Sequence, residues 1–206
     1  MTDKAAVFEE TYRHYLGRIA DLDLTARAAR LGAETDGADL LIQLYGSTYR
    51  LTHQGVFNPS GAPVNYAVCV VLCCYVLQCP PEVPAVGDWV TYREFKDAGP
   101  LVSYFTANTN KIIETTFSGR LDALEKAGRA LDGRRYNDGA SHDLSLQFAF
   151  LPRIPVLLRF NDRDEEFPAQ SSVLFRQSAE AYLDMECMAI GGTFLAGHLT
   201  RHLTGS

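Results

Sequence analysis

The stretch LSLQFAFLPRIPVLLRF, Leu144 to Phe160, decides the fold. Two runs rich in β-favouring residues, Leu144 to Phe150 and Ile154 to Phe160, flank Leu151-Pro152-Arg153 and read as a β-hairpin. Proline has no backbone N–H to give a ladder, so Pro152 and Pro155 keep the turn end from extending it. A second strand pair lies upstream. Leu40 to Tyr45 and Thr48 to Thr52 run on either side of Gly46-Ser47, where glycine supplies the positive φ that a tight turn requires. Hairpins pair antiparallel, so an antiparallel or mixed sheet is expected, with helices packed against it, and the fold class is α+β.

Helical periodicity surrounds these hairpins. From Thr2 to Ala20 the residues Phe8, Tyr12, Tyr15, Leu16 and Ile19 share one face, with Glu9, Glu10, Arg13 and Arg18 on the other. Leu24 to Leu31 is a second helical stretch that stops near Gly32. Val64 to Leu77 is apolar on every side and ends at Cys79-Pro80-Pro81, the pattern of a helix buried in the middle of a fold. Gly87 to Tyr92 predicts a short strand. Ser103 to Phe117 and Leu121 to Leu131 predict helices separated at Gly119. Arg134 to His142 reads as a loop and Asn161 to Glu166 as an acidic turn. Ser178 to Leu203 reads as helical, softened at Gly191-Gly192. No composition shift marks a boundary, so one domain over residues 1–206 is expected.

The 206 residues are 47% hydrophobic and 21% charged, an ordinary globular balance. A net charge of -6 repels phosphate backbones and anionic lipid, and the longest basic cluster is the pair Arg134-Arg135. Neither nucleic acid nor a membrane surface is an expected partner. The apolar run from Tyr66 to Leu77 is 12 residues, whereas a bilayer takes roughly 20. Met1 to Glu10 lacks the basic and apolar segments of a secretory signal. Five cysteines, an odd number in a chain too long to need disulfide staples, point to reduced thiols and hence to the cytoplasm.

The order of several motifs resembles a bacterial and archaeal family, that of the domain of unknown function 3786. The motifs are Leu72-Cys73-Cys74-Tyr75-Val76-Leu77, then Gly87-Asp88-Trp89-Val90-Thr91-Tyr92-Arg93-Glu94-Phe95, then Asp164-Glu165-Glu166-Phe167-Pro168-Ala169. Leu174-Phe175, Ser178-Ala179, Tyr182-Leu183 and Glu186 follow. Members of that family tend to have His where this chain has Cys74 and Asp where it has Arg176. The resemblance implies no catalytic residue. Some relatives carry an added iron-sulfur domain, which these 206 residues do not spell, and this implies an accessory role near redox or one-carbon metabolism.

Chemistry-bearing groups fall into three sets. Cys69, Cys73, Cys74 and Cys79 are thiols, but they form no C-x-x-C knuckle, and a cysteine in an apolar helix behaves as a small buried hydrophobe, so no metal is expected there. His198 and His202 lie four apart, yet Leu199 stands where a zinc-hydrolase helix has Glu, and favourable interaction with the helix C-terminus accounts for both. Asp162, Asp164, Glu165 and Glu166 offer oxygen ligands or a carboxylate pair for acid/base work, although Phe167 breaks the EF-hand pattern. This acidic turn is the best candidate binding site, with Arg93 and Glu94 of the other recognisable motif facing it. No nucleophile elbow, phosphate loop or dinucleotide fingerprint is present, and no cofactor is named by the residues. Two functions are therefore expected. The first is a non-catalytic ligand-binding or accessory protein, its partner an unidentified small molecule or protein. The alternative is a hydrolase or lyase using the carboxylates of residues 162–166 with Arg93 as anion anchor.

Overall fold

A computed structural model describes residues 4–60, 62–137, 139 and 141–204. The apolar segment forms helix α3, Tyr66–Leu77, after α1 (Lys4–Ile19) and a short α2 (Ala28–Leu31). Valine-rich segments have modest helix propensity, so packing decides the case. Nine of the twelve α3 residues are buried, and Asn65 caps the first turn by accepting from the Ala67 N–H at 2.8 Å. α1 lies along α3. The last carbonyls of α2 find side-chain donors: Tyr75 Oη donates to Leu31 O at 2.6 Å, and the Arg153 guanidinium donates to Ala29 O at 2.7 Å.

Two antiparallel sheets pack around this frame, giving an α+β fold. The first has the order β1 (Glu34–Asp36), β2 (Asp39–Leu44), β3 (Ser47–Thr52), β4 (Gly55–Phe57), and each strand hydrogen-bonds to the next in sequence. The expected strand pair is its centre, but the register pairs Leu44 with Ser47, so the turn residues are Tyr45-Gly46, one position earlier than the Gly46-Ser47 expected. Both have positive φ, 45° and 76°, as a type I′ turn demands. A bulky residue in that region is strained. Tyr45 is held there from three sides: its N–H donates to Phe150 O at 3.1 Å, its ring stacks on Phe150 at 5.0 Å, and its hydroxyl donates to Gly191 O at 3.0 Å. The turn thereby clasps the first sheet to the second.

The second sheet has the order β5 (Trp89–Thr91), β9 (Gln170–Arg176), β8 (Ile154–Asn161), β7 (Leu144–Leu151), β6 (Arg134–Arg135). The β7–β8 hairpin is the one expected, with a bulge between Ala149 and Leu151. β9, to which the sequence reading assigned no strand, runs between β5 and β8, and β6 occupies the start of what reads as a loop. Helix segments α4 (Val102–Phe105), α5 (Lys111–Phe117) and α6 (Leu121–Ala130) and the last helix α7 (Met185–Thr204) complete the order. α7 does not soften at Gly191-Gly192. Both glycines are packing positions, where an added Cβ would meet the Phe150 ring at 2.3 Å and the Phe105 ring at 2.5 Å respectively. Buried residues of both sheets and of α3 and α7 form one continuous core. Among the described residues no helix is long and apolar enough to cross a membrane.

Candidate functional site

The acidic turn is occupied with its own backbone. Asp164 Oδ1 accepts from the N–H groups of Glu166 and Phe167 at 2.8 and 2.7 Å, and those bonds hold its carboxyl below the usual range. Asp162 Oδ1 accepts from Gly119 N at 2.6 Å and from Arg163 N at 2.7 Å. Glu165 and Glu166 are exposed. Glu94 caps the turn Tyr92–Glu94: its Oε2 accepts from Thr91 Oγ1 at 2.7 Å and Thr91 N at 2.6 Å, which lowers its pKa. No hydrogen bond or ion pair among the described residues joins Arg93 or Glu94 to the acidic turn.

Arg93 instead lines a cavity of 320 Å³ with Tyr92, Phe105, Thr106, Asn110 and Ser172, to which the turn contributes no residue. One wall is irregular. Between α4 and α5 the chain winds as a π-helix over Thr106–Asn110, a distortion that recurs at functional sites because it displaces backbone groups from the regular ladder. The Asn110 carbonyl is taken up by Ser171 Oγ at 3.0 Å, while the buried Asn110 Oδ1 has no partner among the described residues. Tyr92 stacks on Phe105 with centroids 4.3 Å apart and donates from Oη to Met185 O at 2.7 Å, at the start of α7. Burial, with the charges of Asp184 and Glu186 behind it, pushes the Tyr92 phenol up to about 12. Within an expected helix, the polar run Thr106-Ala107-Asn108-Thr109-Asn110 is the one signal that marked this wall, since Asn and Thr side chains compete for backbone bonds.

The thiols divide between two environments. Burial pushes Cys69 up to about 11 and Cys73 higher still. Cys74, the next residue on α3, meets the first turn of α7: its Sγ donates to Asp184 Oδ2 at 3.5 Å, and Asp184 Oδ1 accepts from Cys187 N at 2.7 Å. Cys187, absent from the sequence-derived thiol set, has its pKa raised by the bond to Cys74 and by burial.

His198 is half-buried, and its Nδ1 lies 2.9 Å from Arg201 Nη2. Burial, then the positive charges of Arg201 and His202, lowers its pKa from 6.5 to about 4. The folded chain therefore keeps His198 neutral while the unfolded chain takes up a proton, so stability is full above pH 6.5 and is lost as pH falls towards about 4. Melting temperatures across that window should fall more steeply for the wild type than for His198→Gln, by roughly 2–4 °C per kcal/mol of lost stability. Parallel curves would remove His198 as the cause.

A family model described as Domain of unknown function (DUF3786) matches residues 23–198. Neither the comparison with curated proteins nor that with solved structures finds a match.

Proposed function

The chain belongs to the DUF3786 family, and from its Arg93 cavity we propose that it is a non-catalytic binding protein for a small organic anion that also carries an N–H or O–H group. The observation that carries this reading is a cavity lined by Arg93, whose guanidinium is engaged by no hydrogen bond or ion pair among the described residues, together with the polar residues Thr106, Asn110 and Ser172. The guanidinium suits a carboxylate or phosphate, and the hydroxyl and amide residues of the lining suit a group that can donate to them. A volume of 320 Å³ accommodates a small metabolite. Binding is favoured over catalysis because none of the described residues lining the cavity is a carboxylate, histidine or cysteine, and burial keeps the Tyr92 phenol protonated. Five free cysteines and an acidic charge balance support a cytoplasmic setting without nucleic acid or membrane partners. The family resemblance carries the narrower reading, an accessory role near redox or one-carbon metabolism.

A thermal-shift and calorimetric screen of hydroxycarboxylates, amino acids and phosphate monoesters tests the proposal. One class should raise the melting temperature, and Arg93→Ala should weaken its binding by roughly 10–100-fold, the range for losing a charged hydrogen bond. Arg163→Ala, an exposed cation on the acidic turn, should bind as the wild type does. The idea fails if no class binds or if Arg93→Ala binds undiminished.

A further inference from the structure

We propose that Cys74, Cys187 and Asp184 form a binding site for a soft divalent metal ion, with zinc the best fit. Their ligand atoms, two sulfurs and one carboxylate oxygen, all lie within 4.8 Å of one another. Around a tetrahedral zinc, bonds of about 2.3 Å to sulfur and 2.0 Å to oxygen place the ligand atoms roughly 3.5–3.8 Å apart. The 3.5 Å from Cys74 Sγ to Asp184 Oδ2 already has that spacing. Asp184 is also oriented for the task, because its other oxygen is tied to the Cys187 N–H at 2.7 Å. That tie acts as an outer-shell bond of the kind that fixes metal-binding carboxylates.

The donor set selects the ion. Thiolates favour zinc and other soft metals over magnesium or calcium, which take oxygen ligands. A metal is held by thiolate, and Cys74 Sγ here donates its hydrogen to Asp184 Oδ2, so that proton must leave on binding. Binding therefore exchanges charge in a balanced step: one M²⁺ enters, two S–H protons leave to solvent, two metal–sulfur bonds and one metal–oxygen bond form, and the site carries a net charge of −1. The N-terminus of the 20-residue α7 lies beside it and favours that charge. Helix capping explains Asp184 alone. It does not explain why sulfurs from two separate helices converge on the same carboxylate. Three protein ligands leave a fourth position for water or a further ligand, and of the three only Asp184 is partly exposed. The Tyr92 hydroxyl on Met185 O joins this turn to the wall of the Arg93 cavity.

The test uses the whole chain, fully reduced and free of oxygen, titrated with Co²⁺ and then Zn²⁺. The expected result is one ion per chain, a near-ultraviolet thiolate-to-cobalt band that zinc abolishes, and release of two protons. Apparent affinity should rise with pH, because thiolate ligation releases protons. Cys74→Ala and Cys187→Ala should each lose at least about 100-fold in affinity, because removing a ligand costs more than the roughly 10–100-fold of disturbing an outer-shell partner. Cys69→Ala and Arg93→Ala should keep the band, which separates this site from the anion cavity. The wild-type stoichiometry and proton count stand even where a cysteine variant fails to fold. The proposal is overturned if the reduced wild type binds neither ion at micromolar concentration, or if binding survives in a folded Cys74→Ala or Cys187→Ala chain. It is equally overturned if protein isolated from cells carries a Cys74–Cys187 disulfide in place of metal.

Discussion

Val71→Asp should leave a chain that does not fold, or one with most of its stability gone. Val71 is fully buried at the centre of α3, where every residue from Cys69 to Val76 is buried and no water is at hand to solvate a carboxylate. An unpaired charge in such a position either remains ionised at a cost of several kcal/mol or takes up a proton and stays an unsatisfied polar group. A loss of at least about 4 kcal/mol is the expected size, against a total of about 5–15 kcal/mol for a typical domain. Val83→Asp is the matched control, since Val83 is 50% exposed, and it should change stability by no more than about 0.5 kcal/mol. Chemical denaturation monitored by circular dichroism reads both. A Val71→Asp chain as stable as the wild type would show that α3 does not sit in the core.

Two glycines of α7 should respond to the same substitution with opposite signs. At Gly191 an added Cβ would lie 2.3 and 2.4 Å from carbons of the Phe150 ring, and Phe150 is itself fully buried and stacked on Tyr45. Overpacking of this kind costs about 3 kcal/mol, the gain in helix propensity returns about 1, and a net loss of about 2 kcal/mol remains for Gly191→Ala. At Gly197 nothing lies within 4 Å of the added carbon and the residue is exposed, so only the propensity term acts. Gly197→Ala should stabilise by up to about 1 kcal/mol. Melting temperatures should therefore move apart, down by roughly 4–8 °C for the first and up by roughly 2–4 °C for the second. Two shifts of the same sign would contradict the close approach of α7 to Phe150.

This pair also shows why the sequence understates the last helix. Read locally, Gly191-Gly192 is a weak point, because propensity is the only term visible in a window of neighbours. In the fold those positions must be small, and packing from Phe150 and Phe105 outweighs the backbone cost. The same reason hid β9: Ser171 and Ser172 dilute its apolar pattern, yet it pairs with β5 on one side and β8 on the other. Strands β1 and β4 have three residues each, too few to carry a period, and exist through their partners. Long elements with strong local patterns, α1, α3, β7 and β8, were legible because their own residues specify them. Of the candidate site, Arg93 was visible as part of a motif, but its cavity draws Asn110 and Ser172 from other elements. Cys187 lies outside the cysteine-rich helix, and only tertiary structure brings it to Cys74.

The clasp at Tyr45 bears on how this chain is made. Its hydroxyl reaches a carbonyl 146 residues further along, and ribosomes add roughly 5–20 residues per second, so the partner arrives about 7–30 s later. Until then the strained turn lacks at least this part of its support, and small isolated sheets are marginal in water. Leu40, Ile42 and Leu51, buried in the finished protein, are then open to chaperones, proteases and other nascent chains. The N-terminal sheet is thus at greatest risk during synthesis, and that risk ends when α7 docks.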